Sequence, residues 1–260
     1  MSLELAELHS VAEHFGVSDE QVRRDHVISH LLALISVELG NELLFIGGTA
    51  LARTHLPDGR LREDLDLIAL APRSDVAAAL DRLLPRGASR AIGVLRWNPS
   101  LTVVQDTDAA TLEGPHGIRL KVQLLRDEGY APWPTELKSL HQRYADAPEA
   151  TLNVPTRAAF AAWKTATWAD RRAPRDLWDL QALARLGAID PDALQLYRKH
   201  GPTNQAPAPD LFKDPPLEET WQHALAGQTR LSVTAAKAAA DVRKAWRQLG
   251  RQSTRELRST

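Results

Sequence analysis

The sequence predicts an α+β fold, in which a mixed sheet with flanking helices is followed by a helical C-terminal half. Strand-length apolar runs separated by helical patterns fill the first part of the chain, and alanine-rich helical patterns fill much of the rest. With 260 residues and 43% hydrophobic content, the chain can bury a core in one large domain or two small ones. We expect two domains, an α/β core over residues 1–150 and a helical domain over residues 151–260.

Composition excludes several kinds of site. The sequence contains no cysteine, so disulfides, thiolate metal sites and thiol catalysis are all excluded. The N-terminus carries acids rather than a basic segment, and no apolar run approaches membrane-spanning length, so we expect a cytoplasmic protein that does not enter a membrane. Because the formal net charge is -1, any contact with nucleic acid must come from a local basic patch.

Two helices are predicted before the first strand. Residues 3–15 form the first, and a capping box at Ser18 begins the second, which runs to about Glu38 and carries a broad apolar face. His26 and His30 lie four residues apart on this second helix, which is a metal-ligand spacing. Because no acidic third ligand accompanies them as in an HExxH motif, we interpret them as ordinary histidines on the helix surface.

A pair of glycines separates a short strand from a helix near the middle of the predicted core. Leu43–Ile46 is an apolar run of strand length, Gly47-Gly48-Thr49 breaks it, and a helical period restarts at Ala50. Adjacent glycines let backbone N–H groups point at one spot, and the new helix adds its positive end. This arrangement suits a phosphate, and we predict that residues 47–49 bind one.

Two aspartates follow at the spacing of a strand. Asp64 and Asp66 share one face of a predicted strand, whereas Leu65 and Leu67 point to the core. Two carboxylates beside a phosphate-binding turn can hold hard divalent cations, which prefer oxygen ligands and bridge nucleotide phosphates. Either feature alone is also typical of a half-buried strand with solvated acids after a glycine turn. Their combination on one strand–helix–strand frame favours the functional interpretation.

These two motifs resemble those of a known family. Gly47-Gly48-Thr49-Ala50-Leu51 followed by Asp64-Leu65-Asp66 is similar to the AbiEii/MenT-type nucleotidyltransferase toxins of the DNA-polymerase-β-like superfamily. The resemblance implies a polymerase-β-like core with Mg²⁺ or Mn²⁺ at Asp64 and Asp66. It also implies transfer of a nucleoside monophosphate from a nucleoside triphosphate (NTP) to an acceptor, which in the MenT branch is the tRNA 3′ end. The expected partner is a cognate antitoxin in a toxin–antitoxin or phage-defence system.

The sequence departs from the family pattern at two positions. A third carboxylate usually follows on a later strand, but the matching position in Ile118–Leu124 holds Gln123, whose amide supplies neither negative charge nor a base. Many family members have serine two residues before the first aspartate, where this chain has Arg62. An arginine at this place can clamp a triphosphate or simply be exposed. We expect a metal site built from two aspartates.

Further predicted elements complete the mixed sheet of the first domain. Ser74 is predicted to cap a helix that ends near Leu84. Three strand-like runs follow, and a turn-rich connection suits a hairpin between the last two. These runs are Ala91–Trp97, Leu101–Thr107 and Gly117–Leu125. The stretch from Thr135 to about Tyr144 has a helical pattern, and residues 145–155 form a connection.

The helical half contains residues that match the two later motifs of the family. A predicted alanine-rich helix capped by Thr156 carries Lys164, and the next helix carries Asp176 and Asp179. A lysine on such a helix can neutralise the triphosphate as pyrophosphate leaves. Asp176 can orient Lys164 or Arg175, or help to deprotonate the acceptor. The alternatives are a solvated lysine and an acid that favours the positive end of its helix.

The end of the chain is predicted to be helical and basic. After a proline-rich loop over Gly201–Pro216, two helices are predicted at Leu217–Gly227 and Thr229–Arg251. From residue 237 onward there are seven basic and two acidic residues, which leaves a local charge of +5. The candidates for nucleic-acid contact are Lys244, Arg247 and Arg251. The alternative is a solvated helix that packs through Val242, Trp246 and Leu249.

Together with the residue patterns, the resemblance implies a metal-dependent nucleotidyltransferase toxin with its NTP in a cleft completed by the helical domain. Asp64, Asp66, Lys164 and Asp176 are the predicted catalytic residues, and Arg62 joins the glycine turn in nucleotide binding. One alternative is a nucleotidyltransferase for a small-molecule or protein acceptor. Another is a catalytically inactive module that binds nucleotide or RNA, for which Gln123 and Arg62 provide the reason.

Overall fold

The computed structural model describes residues 3–130 and 132–259, with side chains described for 3–130, 132–208 and 210–250. The chain divides into two compact units. The first contains residues 3–130, 135–155 and 227–229, and the second contains residues 132–134, 156–226 and 230–259. Among the described residues, none of the helices combines the length and the apolar composition that crossing a membrane requires.

Two helices open the first unit, as predicted. Helix α1 (Leu5–Phe15) ends at Gly16, whose φ of 67° is left-handed and therefore favours glycine. Helix α2 (Asp19–Leu39) begins where the Ser18 side chain accepts a hydrogen bond from the Gln21 backbone N–H at 3.3 Å. The predicted start and cap of α2 are confirmed, whereas α1 begins at Leu5, two residues after the predicted start at residue 3.

The central strand–helix–strand segment has the predicted order. Strand β1 (Leu43–Ile46) leads directly into helix α3 (Gly47–Thr54), so the glycines form the first turn of the helix rather than a separate turn. Strand β2 (Asp64–Ala69) pairs antiparallel with β1, and Ile46 lies opposite Asp66. The start of α3 is therefore placed beside the aspartates of β2.

The sheet is mixed, as predicted. After β2 the chain forms helices α4 (Arg73–Gly87) and α5 (Ser89–Ile92), and then strands β3 (Arg96–Trp97), β4 (Ala109–Glu113), β5 (Arg119–Arg126), β6 (Thr135–Ser139) and β7 (Thr151–Pro155). Within the described residues, seven strands form one sheet in the order β3-β4-β5-β2-β1-β7-β6. β1 runs parallel to β7 and β2 runs parallel to β5, whereas the other neighbours are antiparallel. The buried strand β2 lies in the interior of this sheet.

Two of the predicted strands differ from the structure. Leu101–Thr107 is not a strand, because the Asp81 carboxylate accepts hydrogen bonds from the backbone N–H groups of Leu101 and Thr102, each at 3.0 Å, and stabilises turns there. The hairpin partner of β5 is β4 instead. Of Ala91–Trp97, only the last two residues are extended.

The predicted helix from Thr135 to Tyr144 is wrong. Residues 135–139 form the edge strand β6, which pairs antiparallel with β7, and Leu137 lies opposite Asn153. Pairing with a neighbouring strand outweighs local helix propensity here. Ser74 likewise does not cap α4, which begins at Arg73, and its hydroxyl donates to the Asp75 carboxylate at 3.2 Å.

The second unit is helical. Its helices are α6 (Arg157–Arg171), α7 (Pro174–Arg185), α8 (Pro191–His200), α9 (Glu218–Leu225) and α10 (Ala235–Ser259). The Thr156 hydroxyl accepts a hydrogen bond from the Ala159 backbone N–H at 3.2 Å, which confirms the predicted start of α6. Trp168 and Trp221 are fully buried among these helices. Trp163 and Trp178 are only half-buried.

Candidate active site

The two glycines at the start of α3 lie in direct contact with side chains from the segment that contains β2. Gly47 has a φ of 75°, and a Cβ atom placed there would lie 2.1 Å from Oδ2 of Asp66. A Cβ atom on Gly48 would lie 1.9 Å from the guanidinium carbon of Arg62. Because neither glycine has a side chain, a carboxylate and a guanidinium can both approach the start of one helix.

The aspartates of β2 lie on the face that the strand alternation predicts. Asp64 and Asp66 are half-buried, while the intervening Leu65 is fully buried. In the parallel pair with β5, Asp64 lies opposite Lys121 and Asp66 lies opposite Gln123. Since paired residues of neighbouring strands point to the same face, a lysine and an amide border the two carboxylates.

Gln123 occupies the strand position beside the second aspartate. Its amide nitrogen donates a hydrogen bond to the Thr107 backbone carbonyl at 2.7 Å. Lys121 shares this face and is exposed, but we did not single it out from sequence. The alternating pattern Lys121-Val122-Gln123 contained the signal, because it places the lysine and the amide on one face.

Thr49 ties the helix to the strand. Its side chain is buried, and its hydroxyl donates a hydrogen bond to the backbone carbonyl of Asp64. The hydroxyl is therefore engaged within the protein. Any contact between Thr49 and a phosphate would use the backbone N–H, which belongs to the first turn of α3.

The segment that carries Arg62 is held from two directions. On one side, the Gln21 amide of α2 donates to the Arg62 backbone carbonyl at 3.3 Å. On the other side, Leu61 N–H donates to the carbonyl of Gln228 at 2.8 Å, and the Thr229 hydroxyl donates to the Gly59 carbonyl at 3.0 Å. These hydrogen bonds fix the position of the segment that leads into β2.

The predicted residues of the second unit form a buried ionic cluster. Nζ of Lys164 lies 2.8 Å from Oδ1 of Asp176 and 2.9 Å from Oδ2 of Asp179. Arg171 also binds Asp176, with its Nε 2.7 Å from Oδ2. Burial raises the pKa of the Asp176 carboxyl, but Lys164 and Arg171 outweigh burial and the pKa is lowered overall. Arg175, suggested as a partner of Asp176, donates instead to the Ala224 carbonyl at 3.2 Å.

The comparison with protein families decides the classification. The family model for nucleotidyl transferase AbiEii toxins of type IV toxin–antitoxin systems matches residues 30–249. The chain belongs to the AbiEii family. It is therefore a nucleotidyltransferase toxin, and the predicted family is confirmed. AbiEii membership also implies an NTP substrate and a cognate antitoxin.

A solved structure supports the fold of this AbiEii chain. The chain is similar to MenT4, a nucleotidyltransferase toxin from Mycobacterium tuberculosis H37Rv, with a TM-score of 0.68 and 23% sequence identity. The match covers 94% of this chain and 89% of MenT4. The predicted α+β nucleotidyltransferase fold is confirmed. A comparison with the curated proteins finds no match to this sequence.

The last helix of the AbiEii chain exposes basic side chains on one side and packs with the other. Lys244 and Arg247 are exposed, whereas Val242, Trp246 and Leu249 are buried. Cavities of about 520 Å³ and 760 Å³ border the helix, and Lys244 lines the first and Arg247 the second. The side chain of Arg251, the third predicted contact, lies outside the described residues.

A network of buried charges anchors helix α3 of the AbiEii core. Arg53 and Asp25 are buried, and Nη2 of Arg53 lies 2.8 Å from Oδ1 of Asp25. The Tyr144 hydroxyl donates to Oδ2 of the same aspartate at 3.0 Å, and Nη1 of Arg143 lies 3.7 Å from it. Burial, and next the charge of Arg53, lowers the pKa of Arg143 to about 10. Sequence reasoning missed this network, because its members lie far apart in the chain.

Proposed function

We propose that this chain transfers a nucleoside monophosphate from an NTP to the 3′ end of tRNA, with pyrophosphate as the leaving group, and depends on a divalent cation. The observation that carries the proposal is that the Asp66 carboxylate packs against Gly47 and the Arg62 guanidinium packs against Gly48 at the start of α3. This proximity supports metal binding by the carboxylate beside phosphate binding at the start of the helix.

The donor set of β2 fits a hard cation. Asp64 and Asp66 offer carboxylate oxygens on one face, with the amide of Gln123 beside them. Oxygen donors of this kind suit Mg²⁺ or Mn²⁺ rather than a softer metal. A cation bound by these residues would neutralise charge that develops on the α-phosphate during in-line displacement. We propose Asp64 and Asp66 as its ligands.

Phosphate binding is assigned to the first turn of α3 and to Arg62. The first backbone N–H groups of a helix have no partner within the helix, and its dipole favours negative charge there. The guanidinium of Arg62 lies directly over Gly48 and adds a planar group of donors. We propose that residues 47–49 and Arg62 bind the triphosphate together.

The roles of Lys164 and Asp176 in catalysis stay predictions. Two buried carboxylates hold the Lys164 amine within hydrogen-bond distance, which fixes its position on α6. We propose that Asp176 and Asp179 position this lysine, so that Asp176 acts through Lys164 rather than as a base. A lysine with a fixed position loses little freedom when it binds a phosphate.

The choice of tRNA as acceptor is supported by the exposed basic side of α10. Lys244 and Arg247 are exposed, and a basic helix face can follow a nucleic-acid backbone. A small-molecule acceptor does not require such a face. The competing proposal, an inactive nucleotide-binding module, is favoured by Gln123, because this position lacks the third carboxylate.

One labelling experiment separates these possibilities. The full chain is incubated with each α-labelled NTP, Mg²⁺ and total tRNA, in parallel with tRNA whose 3′-terminal diol has been oxidised by periodate. We expect label in intact tRNA and none in oxidised tRNA. Label in both would place the acceptor elsewhere on the RNA, and label on protein would indicate a protein acceptor. Absence of transfer to any acceptor by folded protein would favour the inactive module.

A further inference from the structure

Two histidines and an aspartate, none of them on β2, converge inside the first unit. His26 and His30 lie one turn apart on α2, and Asp146 lies in the segment between β6 and β7. The interpretation of these histidines as surface residues is wrong, because they are only 4% and 6% exposed. The Asp146 side chain is also largely buried, at 10% exposure.

The three side chains have the spacing of ligands around one metal ion. Nε2 of His26 lies 3.2 Å from Nε2 of His30 and 2.9 Å from Oδ1 of Asp146, and Nε2 of His30 lies 3.4 Å from Oδ2 of Asp146. Tetrahedral Zn²⁺ with bonds of about 2.0–2.1 Å separates its ligand atoms by about 3.3–3.4 Å. A metal ion would therefore require only small movements of these side chains.

We propose that His26, His30 and Asp146 bind a first-row transition-metal dication of the Zn²⁺ class. Two imidazoles and one carboxylate are ligands that Zn²⁺ accepts, whereas Mg²⁺ prefers oxygen donors alone. The fourth position is open to water or to the second carboxylate oxygen. This site is distinct in position and in chemistry from the cation site proposed at Asp64 and Asp66.

The bound ion would join α2 to the segment before β7. Tyr144, two residues before Asp146, packs edge-on against the His26 ring at 4.9 Å and donates to the Asp25 carboxylate. Asp25 in turn pairs with Arg53 of α3. The metal thus stabilises the support of the helix that begins with Gly47, and its role is to hold the core together rather than to react.

The alternative is a metal-free cluster of hydrogen bonds. Nε2 of His26 is already within hydrogen-bond distance of Asp146 and of His30, so hydrogen bonds can hold the three side chains together without a metal ion. Metal binding itself separates the two accounts.

The test is a metal titration of the chelator-treated full chain. Zn²⁺ affinity is measured by competition with a chromophoric chelator, and Co²⁺ is used as a visible probe of coordination number. We expect one Zn²⁺ per chain, retained in excess Mg²⁺, and a higher melting temperature with Zn²⁺. His26→Gln, His30→Gln and Asp146→Asn should each lower affinity by more than about 100-fold, since loss of an outer-shell partner alone costs 10–100-fold.

Two variants serve as controls. His9→Gln changes an exposed histidine of α1 in the same unit and should leave Zn²⁺ affinity unchanged. Asp64→Asn should also retain the Zn²⁺, which excludes binding at the β2 carboxylates. If the unmodified chain binds neither Zn²⁺ nor Co²⁺, the proposal is overturned whatever the variants do. Binding that all three ligand variants retain would equally overturn it.

Discussion

Replacement of Lys164 by Met should destabilise the second unit strongly. The lysine is only 8% exposed, and its amine lies between Asp176 and Asp179, which are 0% and 1% exposed. Methionine has a similar length but no charge, so the variant removes the cation from a buried group of carboxylates. Removal of one partner from a buried ion pair costs several kcal/mol, because the remaining charge loses its compensation.

The expected loss of stability corresponds to a lower urea midpoint of unfolding. A cost of about 3–5 kcal/mol, at a urea m-value of about 2 kcal/mol/M, lowers the midpoint by about 1.5–2.5 M. Every tryptophan except Trp97 lies in the second unit, so tryptophan fluorescence reports mainly on the unfolding of that unit. Urea titrations of the wild type and of Lys164→Met, followed by fluorescence, provide the measurement.

Lys199→Met is the matched control. Lys199 is exposed near the end of α8 in the same unit, and exposed substitutions of this kind change stability by no more than about 0.5 kcal/mol. If Lys164→Met unfolds at the same urea concentration as this control, the ion cluster does not stabilise the unit. Transfer activity of Lys164 variants should be compared only under conditions where each remains folded.

Three further predictions concern the glycine turn, acid stability and RNA contact. Gly47→Ala should lose transfer activity, because the new Cβ atom collides with the Asp66 carboxylate. Gly117→Ala is the control, since Gly117 has a similar φ of 76° but open space around it. This control variant should carry a similar backbone strain of about 1–2 kcal/mol and keep its activity. Because the pKa of Asp176 is lowered in the folded state, its contribution to stability is complete above about pH 3.9 and is lost as the pH falls through the folded pKa. Below pH 4, the urea midpoint of Asp176→Asn should therefore decrease less steeply with falling pH than that of the wild type. Replacing Lys244 and Arg247 by Gln should reduce the salt slope of tRNA binding by up to about two units, and an unchanged slope in filter-binding assays would assign the helix a purely structural role.

Local patterns were sufficient for the parts of the site that lie within one short segment. The alternation around Leu65 placed Asp64 and Asp66 on one face, and the apolar run before Gly47 predicted strand β1, although α3 begins at Gly47 rather than at the predicted Ala50. In each case the spacing of neighbouring residues determines the geometry. Gln123 was identified through the family resemblance instead, and the structure places it opposite the second aspartate.

Features that depend on distant partners were not predictable in this way. Residues 135–139 became a strand because β7 pairs with them, and no property of that segment alone indicates the pairing. His26 is buried, and its hydrogen-bond partner Asp146 lies 120 positions away in the sequence. The pairing of Tyr144 with Asp25 spans 119 positions. Contacts of this kind are determined by the packing of the whole unit.

We propose that the carboxylates of β2 carry metal-dependent transfer. The most direct measurement is NTP-dependent label transfer by Asp64→Asn and Asp66→Asn, with melting temperatures to establish that each variant is folded. Asparagine keeps the shape of aspartate but removes the negative charge that a hard cation requires. We predict that both folded variants lose transfer. Transfer at the wild-type rate by either folded variant would show that the altered carboxylate is not a ligand of the catalytic cation.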